Sequence, residues 1–171
     1  MIYKLLMKIA SLFIILFFLI LSTTSCSATG LVTCDGQWVY NPDDFTAEEQ
    51  AWIQSAGGRW NHFVGSDVVE VSPGKRDACV IQKGPTTNPE AIGQDYHHTE
   101  VISIDLDHLR RINQLTQVEF EAVVMHEIGH SLGYKHILTG PALMAPYAAH
   151  DFTELDRIAC INRGMCPAKH N

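Results

Sequence analysis

The decisive stretch of this chain is residues 126–136, which read His126-Glu127-Ile128-Gly129-His130-Ser131-Leu132-Gly133-Tyr134-Lys135-His136. On a helix with 3.6 residues per turn, His126 and His130 project from nearly the same face, so both imidazoles can reach one ion. Glu127 comes one residue after the first histidine and lies beside the same ion. Gly133 falls where the helix should end, because glycine adopts the left-handed conformation without a steric penalty. The chain can then turn back and bring His136 to the ion.

These spacings predict a catalytic zinc site. Three neutral histidines leave a fourth coordination position open for water, as in catalytic rather than structural zinc sites. Zinc would lower the pKa of that water to about 7, and Glu127 could accept its proton. The pattern H-E-x-x-H alone can arise by chance on an exposed helix. The added Gly133 and His136 at their spacings make coincidence the weaker explanation.

The residues before the motif predict the helix that carries it. Thr116 and Glu119 form the pattern of a capping box, in which Thr is followed by Glu three residues later. Residues 118–125 then contain six apolar side chains and neither glycine nor proline, which indicates a largely buried helix. Gly129 lowers the helix propensity. It either allows close packing against a neighbour or has no effect.

The motif, together with Ala142-Leu143-Met144-Ala145-Pro146-Tyr147, resembles the metzincin clan of zinc endopeptidases, and most closely the matrixin-type catalytic domains. The resemblance covers about residues 116–156. It implies an α+β fold, with a twisted mixed sheet of about four to five strands, three main helices and a Met-turn. It also implies that Glu127 acts as general base and acid, and that Met144 supports the metal site without binding the metal.

The same resemblance implies a substrate pocket beside the Met-turn. Pro146 and Tyr147 would form a wall of the pocket for the side chain that follows the scissile bond. Matrixin-like chains place a tyrosine four residues after the methionine, whereas Tyr147 comes three after Met144. Ordinary packing therefore stays an equal interpretation of Tyr147. Pro146 occupies the position of the zinc-contacting tyrosine of other clan members, so Tyr147 is not assigned as a ligand.

The first residues have the pattern of a secretion signal. Lys4 and Lys8 precede the apolar run of residues 9–21, which is interrupted only by Ser11. That run is short for a membrane span and typical of a signal peptide. We therefore predict a signal peptide over residues 1–25 and a single catalytic domain over residues 26–171. Export would make disulfides permissible.

Five cysteines refine this interpretation. Cys26 follows Thr23-Thr24-Ser25 and resembles the lipidated cysteine of a bacterial lipobox, although Thr23 replaces the usual leucine. The odd count favours lipidation of Cys26 and a cell-envelope lipoprotein. Plain cleavage, giving a secreted protein, and an uncleaved anchor are the alternatives. The other four cysteines allow two disulfides in three pairings, of which we prefer Cys34–Cys79 and Cys160–Cys166.

The charge and the other histidines limit the partners. The formal net charge of −7 becomes more negative when Lys4 and Lys8 leave with the signal, which argues against nucleic-acid binding. We expect a protein or peptide substrate, a membrane contact through the lipid, and a monomer. We find no spacing typical of metal ligands at two further groups of polar residues, which are His97-His98 and the group Asp105, Asp107 and His108. We therefore expect no structural calcium and no second zinc.

The rest of the chain fits the same plan. Strands are predicted at residues 37–40, at 68–71 and 79–82 on either side of a turn at 72–75, and at 101–106. Residues 91–95 are predicted to form the edge strand along which an extended substrate could add. Helices are predicted to begin at the capping box Thr46–Glu49 and near Thr153, the latter running to about Asn162 and ending at Gly164. Trp52, Ile53, Ala56 and Trp60 recur at helical spacing and indicate core.

The sequence therefore predicts a zinc-dependent endopeptidase, secreted or lipid-anchored, that hydrolyses peptide bonds with a metal-activated water and Glu127 as base. One alternative is a catalytically idle zinc-containing lipoprotein that binds peptides or partners. Glu127 argues against it, because a structural site would not need that carboxylate. A zinc-dependent toxin or cell-wall factor with one dedicated target is a third possibility.

Overall fold

The computed structural model describes residues 34, 36–74, 79–88, 90–96, 101–112, 115–146 and 149–167. All of them belong to one compact unit. The predicted signal peptide over residues 1–25 and the predicted lipidation site Cys26 lie outside the described residues. Within the described ranges, no helix is both long enough and apolar enough to cross a membrane.

The centre of the fold is a five-stranded mixed sheet. Its strands are β1 (Gln37–Tyr40), β2 (Glu70–Pro73), β3 (Cys79–Lys83), β4 (Gly93–Tyr96) and β5 (Val101–Ile104). They lie side by side in the order β2-β1-β3-β5-β4. The β1–β2, β1–β3 and β3–β5 pairs are parallel, and only β4 runs antiparallel, along β5. The predicted mixed sheet of four to five strands is confirmed.

Three main helices accompany the sheet, as predicted. They are α1 (Ala47–Val64), α3 (Gln117–Ser131) and α4 (Glu154–Asn162), with a short α2 (Leu106–Arg111) and a 3-10 turn (Pro42–Asp44) between the longer elements. The capping box of α1 is complete, because Thr46 and Glu49 each accept the other's backbone N–H. Thr116 caps α3 in the same way, but the carboxylate of Glu119 lies 2.9 Å from His150 Nε2.

Two strand predictions require correction. The strand expected at residues 68–71 runs from Glu70 to Pro73, so the predicted turn at 72–75 is partly strand. It is also not the neighbour of β3, because β1 lies between them and pairs with both. Parallel pairing of β1 with β2 uses α1 as the crossover. The strand expected at 101–106 ends at Ile104, since the Asp105 carboxylate accepts the His108 N–H and caps α2.

The prediction of an edge strand is confirmed. Residues 91–95 were expected to form it, and β4 (Gly93–Tyr96) is the last strand of the sheet. Its neighbour β5 is completely buried. One side of β4 therefore pairs with β5, and the other is the rim of the sheet.

The core lies between the sheet and the helices, where α1 packs against α3. Trp60 of α1 is fully buried and donates a hydrogen bond of 2.8 Å from its indole Nε1 to the carbonyl of Met125 in α3. A Cβ on Gly129 would lie 2.4 Å from Met144 Sδ and 3.0 Å from Trp60 Cζ2. Of the two interpretations of Gly129, the structure shows close packing.

Two disulfides tie the ends of elements together. Cys34–Cys79 connects the segment before β1 to the first residue of β3, and Cys160–Cys166 closes a short ring at the end of α4. These are the two pairs that the sequence analysis prefers. Gly164, inside the second ring, has φ of 71° and follows α4 as predicted.

Replacing Gly129 with alanine should lower the free energy of unfolding by about 1–3 kcal/mol, because the added methyl overlaps the sulfur of Met144. The matched control is Gly58→Ala in α1, where a Cβ would meet nothing within 4 Å. That change should raise stability by about 0.5–1 kcal/mol, since alanine is the better helix former. Urea denaturation of both metal-free variants measures the difference, and equal stabilities would contradict this account of Gly129.

Candidate active site

Three imidazoles converge at the end of α3. His136 Nε2 lies 3.2 Å from both His126 Nε2 and His130 Nε2. His126 is buried, His130 half-buried and His136 exposed, so the cluster opens from the core toward solvent. The fold thus brings together all three residues that the sequence predicts as zinc ligands.

In two of these rings, the Nδ1 atom faces away from the cluster and the Nε2 atom faces into it. The hydrogen bond of Nδ1 determines whether Nε2 carries a proton or a lone pair. His126 Nδ1 lies 2.7 Å from Leu143 O, and His130 Nδ1 lies 2.9 Å from Tyr134 O. A carbonyl can only accept a hydrogen bond, so both Nδ1 atoms carry the proton. Burial lowers the pKa of His126 to about 4. Its ring is therefore neutral near pH 7 and points an Nε2 lone pair at the other histidines.

This donor set fits zinc. With their Nδ1 atoms protonated, His126 and His130 each direct an Nε2 lone pair at the cluster, and one cation can accept both lone pairs. Tetrahedral zinc with Zn–N distances of about 2.0–2.1 Å separates its ligand nitrogens by about 3.3–3.4 Å. The observed separations of 3.2 Å are close to that value. The backbone carbonyls behind two of the rings are the usual outer partners of metal-binding histidines.

Glu127 is buried beside the histidines and faces the edge strand. Its carboxylate accepts a hydrogen bond from the backbone N–H of Asp95 in β4. Burial raises the pKa of Glu127 to about 8, with a further increase from the negative charge of Asp95, whereas the backbone hydrogen bond lowers it. The carboxyl group is thus held in a weakly solvated position with a fixed orientation.

Gly93 makes room for that carboxylate. A Cβ at this position would lie 2.8 Å from Glu127 Oε1, 2.9 Å from Glu127 Cγ and 2.7 Å from Val123 Cγ1. The backbone of β4 can therefore approach α3 closely only because residue 93 is glycine. This role of Gly93 was not predicted from the sequence. A lone glycine in a short polar strand offers little signal of such a contact.

The Met-turn, residues 142–145, lies against the histidines and is fully buried up to Met144. Leu143 O holds His126, and Met144 O accepts the N–H of Ile137, the residue after His136. Met144 packs its sulfur toward Gly129, consistent with the support role predicted for it.

Asp156 of α4 holds the Met-turn in place, a role that was not predicted from the sequence. Its buried carboxylate accepts the N–H groups of Leu143 (2.9 Å) and Met144 (3.1 Å). It also accepts the N–H and hydroxyl of Thr153, at 2.8 and 2.9 Å. Asp three residues after Thr is a variant of the capping box, and that was the available signal.

The remaining predicted residues lie around this centre. Gly133 follows α3 with φ of 86°, as a glycine at a helix end should. Pro146 is exposed at the end of the Met-turn. Tyr147, with which Pro146 was predicted to form a pocket wall, lies outside the described residues, as do His97 and His98.

Comparison with known families identifies the chain. The family model for Matrixin matches residues 35–158, which include the sheet, α3, the Met-turn and the first half of α4. A search of curated protein sequences found no match. Matrixins are zinc metalloendopeptidases, and the match covers most of the chain. By this match and by its histidine cluster, the chain belongs to the matrixin family of zinc metalloendopeptidases.

Proposed function

We propose that this matrixin is an exported endopeptidase in which His126, His130 and His136 hold the catalytic zinc and Glu127 is the general base. The observation that carries the proposal is the convergence of three imidazole nitrogens beside a buried carboxylate at the edge of the sheet. A structural zinc site would be closed by a fourth protein ligand and would not need a carboxylate in that position.

The chemistry divides between the metal and the chain. Zinc bound by the three histidines would supply Lewis acidity, which lowers the pKa of water to about 7 and polarises a carbonyl. A carboxylate oxygen of Glu127 accepts the proton of the water that adds to the peptide carbonyl carbon. The same oxygen then passes that proton to the amide nitrogen as the C–N bond breaks, so that acid and amine products leave.

The rim of β4 is the proposed binding edge for the substrate. Ile92 O accepts the N–H of Asp105, which shows that Ile92 faces β5. Backbone groups alternate in direction along a strand, so those of Gly93 and Asp95 point outward. The hydrogen bond from Asp95 N–H to Glu127 agrees with this direction. An extended peptide lying along this rim would place its carbonyls next to the base.

Two disulfides support export, because such bonds persist mainly in oxidising compartments. We propose that the mature chain begins at Cys26 and is anchored through a lipid on that residue. Together the two bonds use four of the five cysteines, and Cys26 is the fifth. We further propose that the protein is a monomer and that its substrates are proteins or peptides.

Glu127→Gln should retain zinc and lose hydrolysis, because the amide cannot accept a proton from water. We expect kcat/KM on a fluorogenic peptide library to fall by about 10²–10⁴-fold, with zinc content unchanged. The control is Glu119→Gln on the same helix, a carboxylate that pairs with His150 outside the site. Equal hydrolysis by wild type and Glu127→Gln would contradict the proposal, and zinc without hydrolysis in either protein would favour a binding module.

Substrate addition along β4 predicts an alternating response to N-methylation of the peptide backbone. For a peptide that the wild type cleaves, each amide near the scissile bond is methylated in turn. Every second position should lower kcat/KM by about 5–10-fold, the value of one lost hydrogen bond of about 1–1.5 kcal/mol. The intervening positions are internal controls for the conformational effect of the methyl group. A uniform response along the peptide would contradict strand addition.

Lipidation of Cys26 predicts that the full chain, expressed in a bacterial host with an alkyne-labelled fatty acid, acquires label and sediments with membranes. Cys26→Ala should carry no label, because the thiol is the attachment atom. Mass spectrometry of the mature protein then gives its first residue. An unlabelled wild-type chain that starts at a residue other than Cys26 would contradict the anchor and leave the protease proposal intact.

A further inference from the structure

We propose that Arg163 is a positioning residue for the metal centre. Arg163 lies just after α4 and contacts the turn segment, residues 132–134, which connects His130 to His136. The inference rests on the proposed zinc site and adds a residue that the matrixin motif does not contain.

Arg163 binds the end of the catalytic helix with two hydrogen bonds. Its Nη2 donates to Leu132 O and its Nη1 donates to Gly133 O, each at 2.9 Å. Carbonyls at a helix C-terminus lack partners within the helix, and a cation there also interacts favourably with the helix dipole. The planar guanidinium presents two parallel N–H groups, which suits two adjacent carbonyls better than a lysine would.

The glycine of the motif has a second role in this chain because of that contact. Gly133 has φ of 86°, and a Cβ there would lie only 2.5 Å from Arg163 Nη2. Glycine at residue 133 turns the chain and also leaves room for the guanidinium, which would have to move if a side chain were present there. The turn segment and Arg163 fit each other sterically as well as through hydrogen bonds.

The turn segment determines where two of the histidines lie. Tyr134 O accepts the Nδ1 proton of His130, and Tyr134 N–H donates to Gly129 O. The guanidinium of Arg163 also lies 5.1 Å above the ring of Tyr134. Arg163 thus contacts all three residues of the turn segment. His136 follows two residues later and is exposed, so burial alone does not fix its position.

The disulfide ring explains how an exposed arginine can be effective. An exposed ion or hydrogen-bond pair usually contributes little, because holding a long side chain costs conformational entropy. Cys160 and Cys166 are both buried, and their bond spans only six residues, with Arg163 midway between them. The backbone bond from Met165 N–H to Cys160 O closes the same ring. The ring restricts the backbone of Arg163, which lowers the conformational entropy that its contacts cost.

The test compares Arg163→Met with Arg157→Met. Arg157 lies on α4, the helix that Arg163 follows; it donates a hydrogen bond of 3.4 Å to the carbonyl of Phe63, and its guanidinium lies 5.1 Å from the centre of the Phe63 ring. It therefore matches Arg163 in chemistry but contacts α1 rather than the turn segment. Zinc affinity is measured by competition with a chromogenic chelator, and ligand geometry by the visible spectrum of the cobalt-substituted protein. The melting temperature of each metal-free variant reports general destabilisation.

Arg163→Met should raise the zinc Kd by about 10-fold, the lower end of the range for outer-sphere changes, and should alter the cobalt spectrum. Arg157→Met should leave the zinc Kd within about twofold of wild type and the cobalt spectrum unchanged. Arg163→Lys should give an intermediate zinc Kd, since an ammonium group lacks the two parallel N–H donors of the guanidinium. An unchanged zinc Kd in Arg163→Met, or an equal loss in Arg157→Met, would overturn this inference alone. A folded wild type that binds no zinc would overturn the proposed function together with it.

Discussion

The whole site depends on hydrogen bonds that point away from the proposed metal position. Backbone carbonyls of Leu143 and Tyr134 take the Nδ1 protons of His126 and His130, so each ring must present an Nε2 lone pair inward. Both lone pairs are thus directed at the position that we propose for the metal. Because tautomer and ring orientation are fixed in advance, little of the metal-binding free energy is lost in selecting them.

One of those two carbonyls is positioned by a residue in another helix. Asp156 in α4 takes two N–H groups of the Met-turn, and through Leu143 it therefore acts on His126. The other carbonyl, that of Tyr134, belongs to the turn directly after α3 and accepts the hydrogen bond of His130. A buried carboxylate with four donors is costly to leave unsatisfied, so Asp156 allows the Met-turn essentially one conformation.

The sequence predicts those parts of the site whose geometry is local. The spacing of His126 and His130, the left-handed Gly133 and the return of His136 all follow from helix geometry and the steric freedom of glycine. Contacts between distant segments could not be found this way. Gly93 has no motif, and its role depends on the approach of β4 to α3. The order of β1, β2 and β3 was likewise not predictable from their own residues, because short apolar strands do not specify their neighbours.

The edge strand β4 and the helix α3 contact each other at Glu127. The Asp95 N–H orients its carboxylate, and the missing side chain of Gly93 gives that carboxylate its space. The strand proposed to bind the substrate is thus also the strand that orients the proposed base. Because Glu127 belongs to α3 and is hydrogen-bonded to β4, the packing of β4 on α3 sets the distance between the proposed proton acceptor and a peptide bound along β4. We therefore expect the close approach of β4 to α3 at Gly93 to contribute to the alignment that hydrolysis requires.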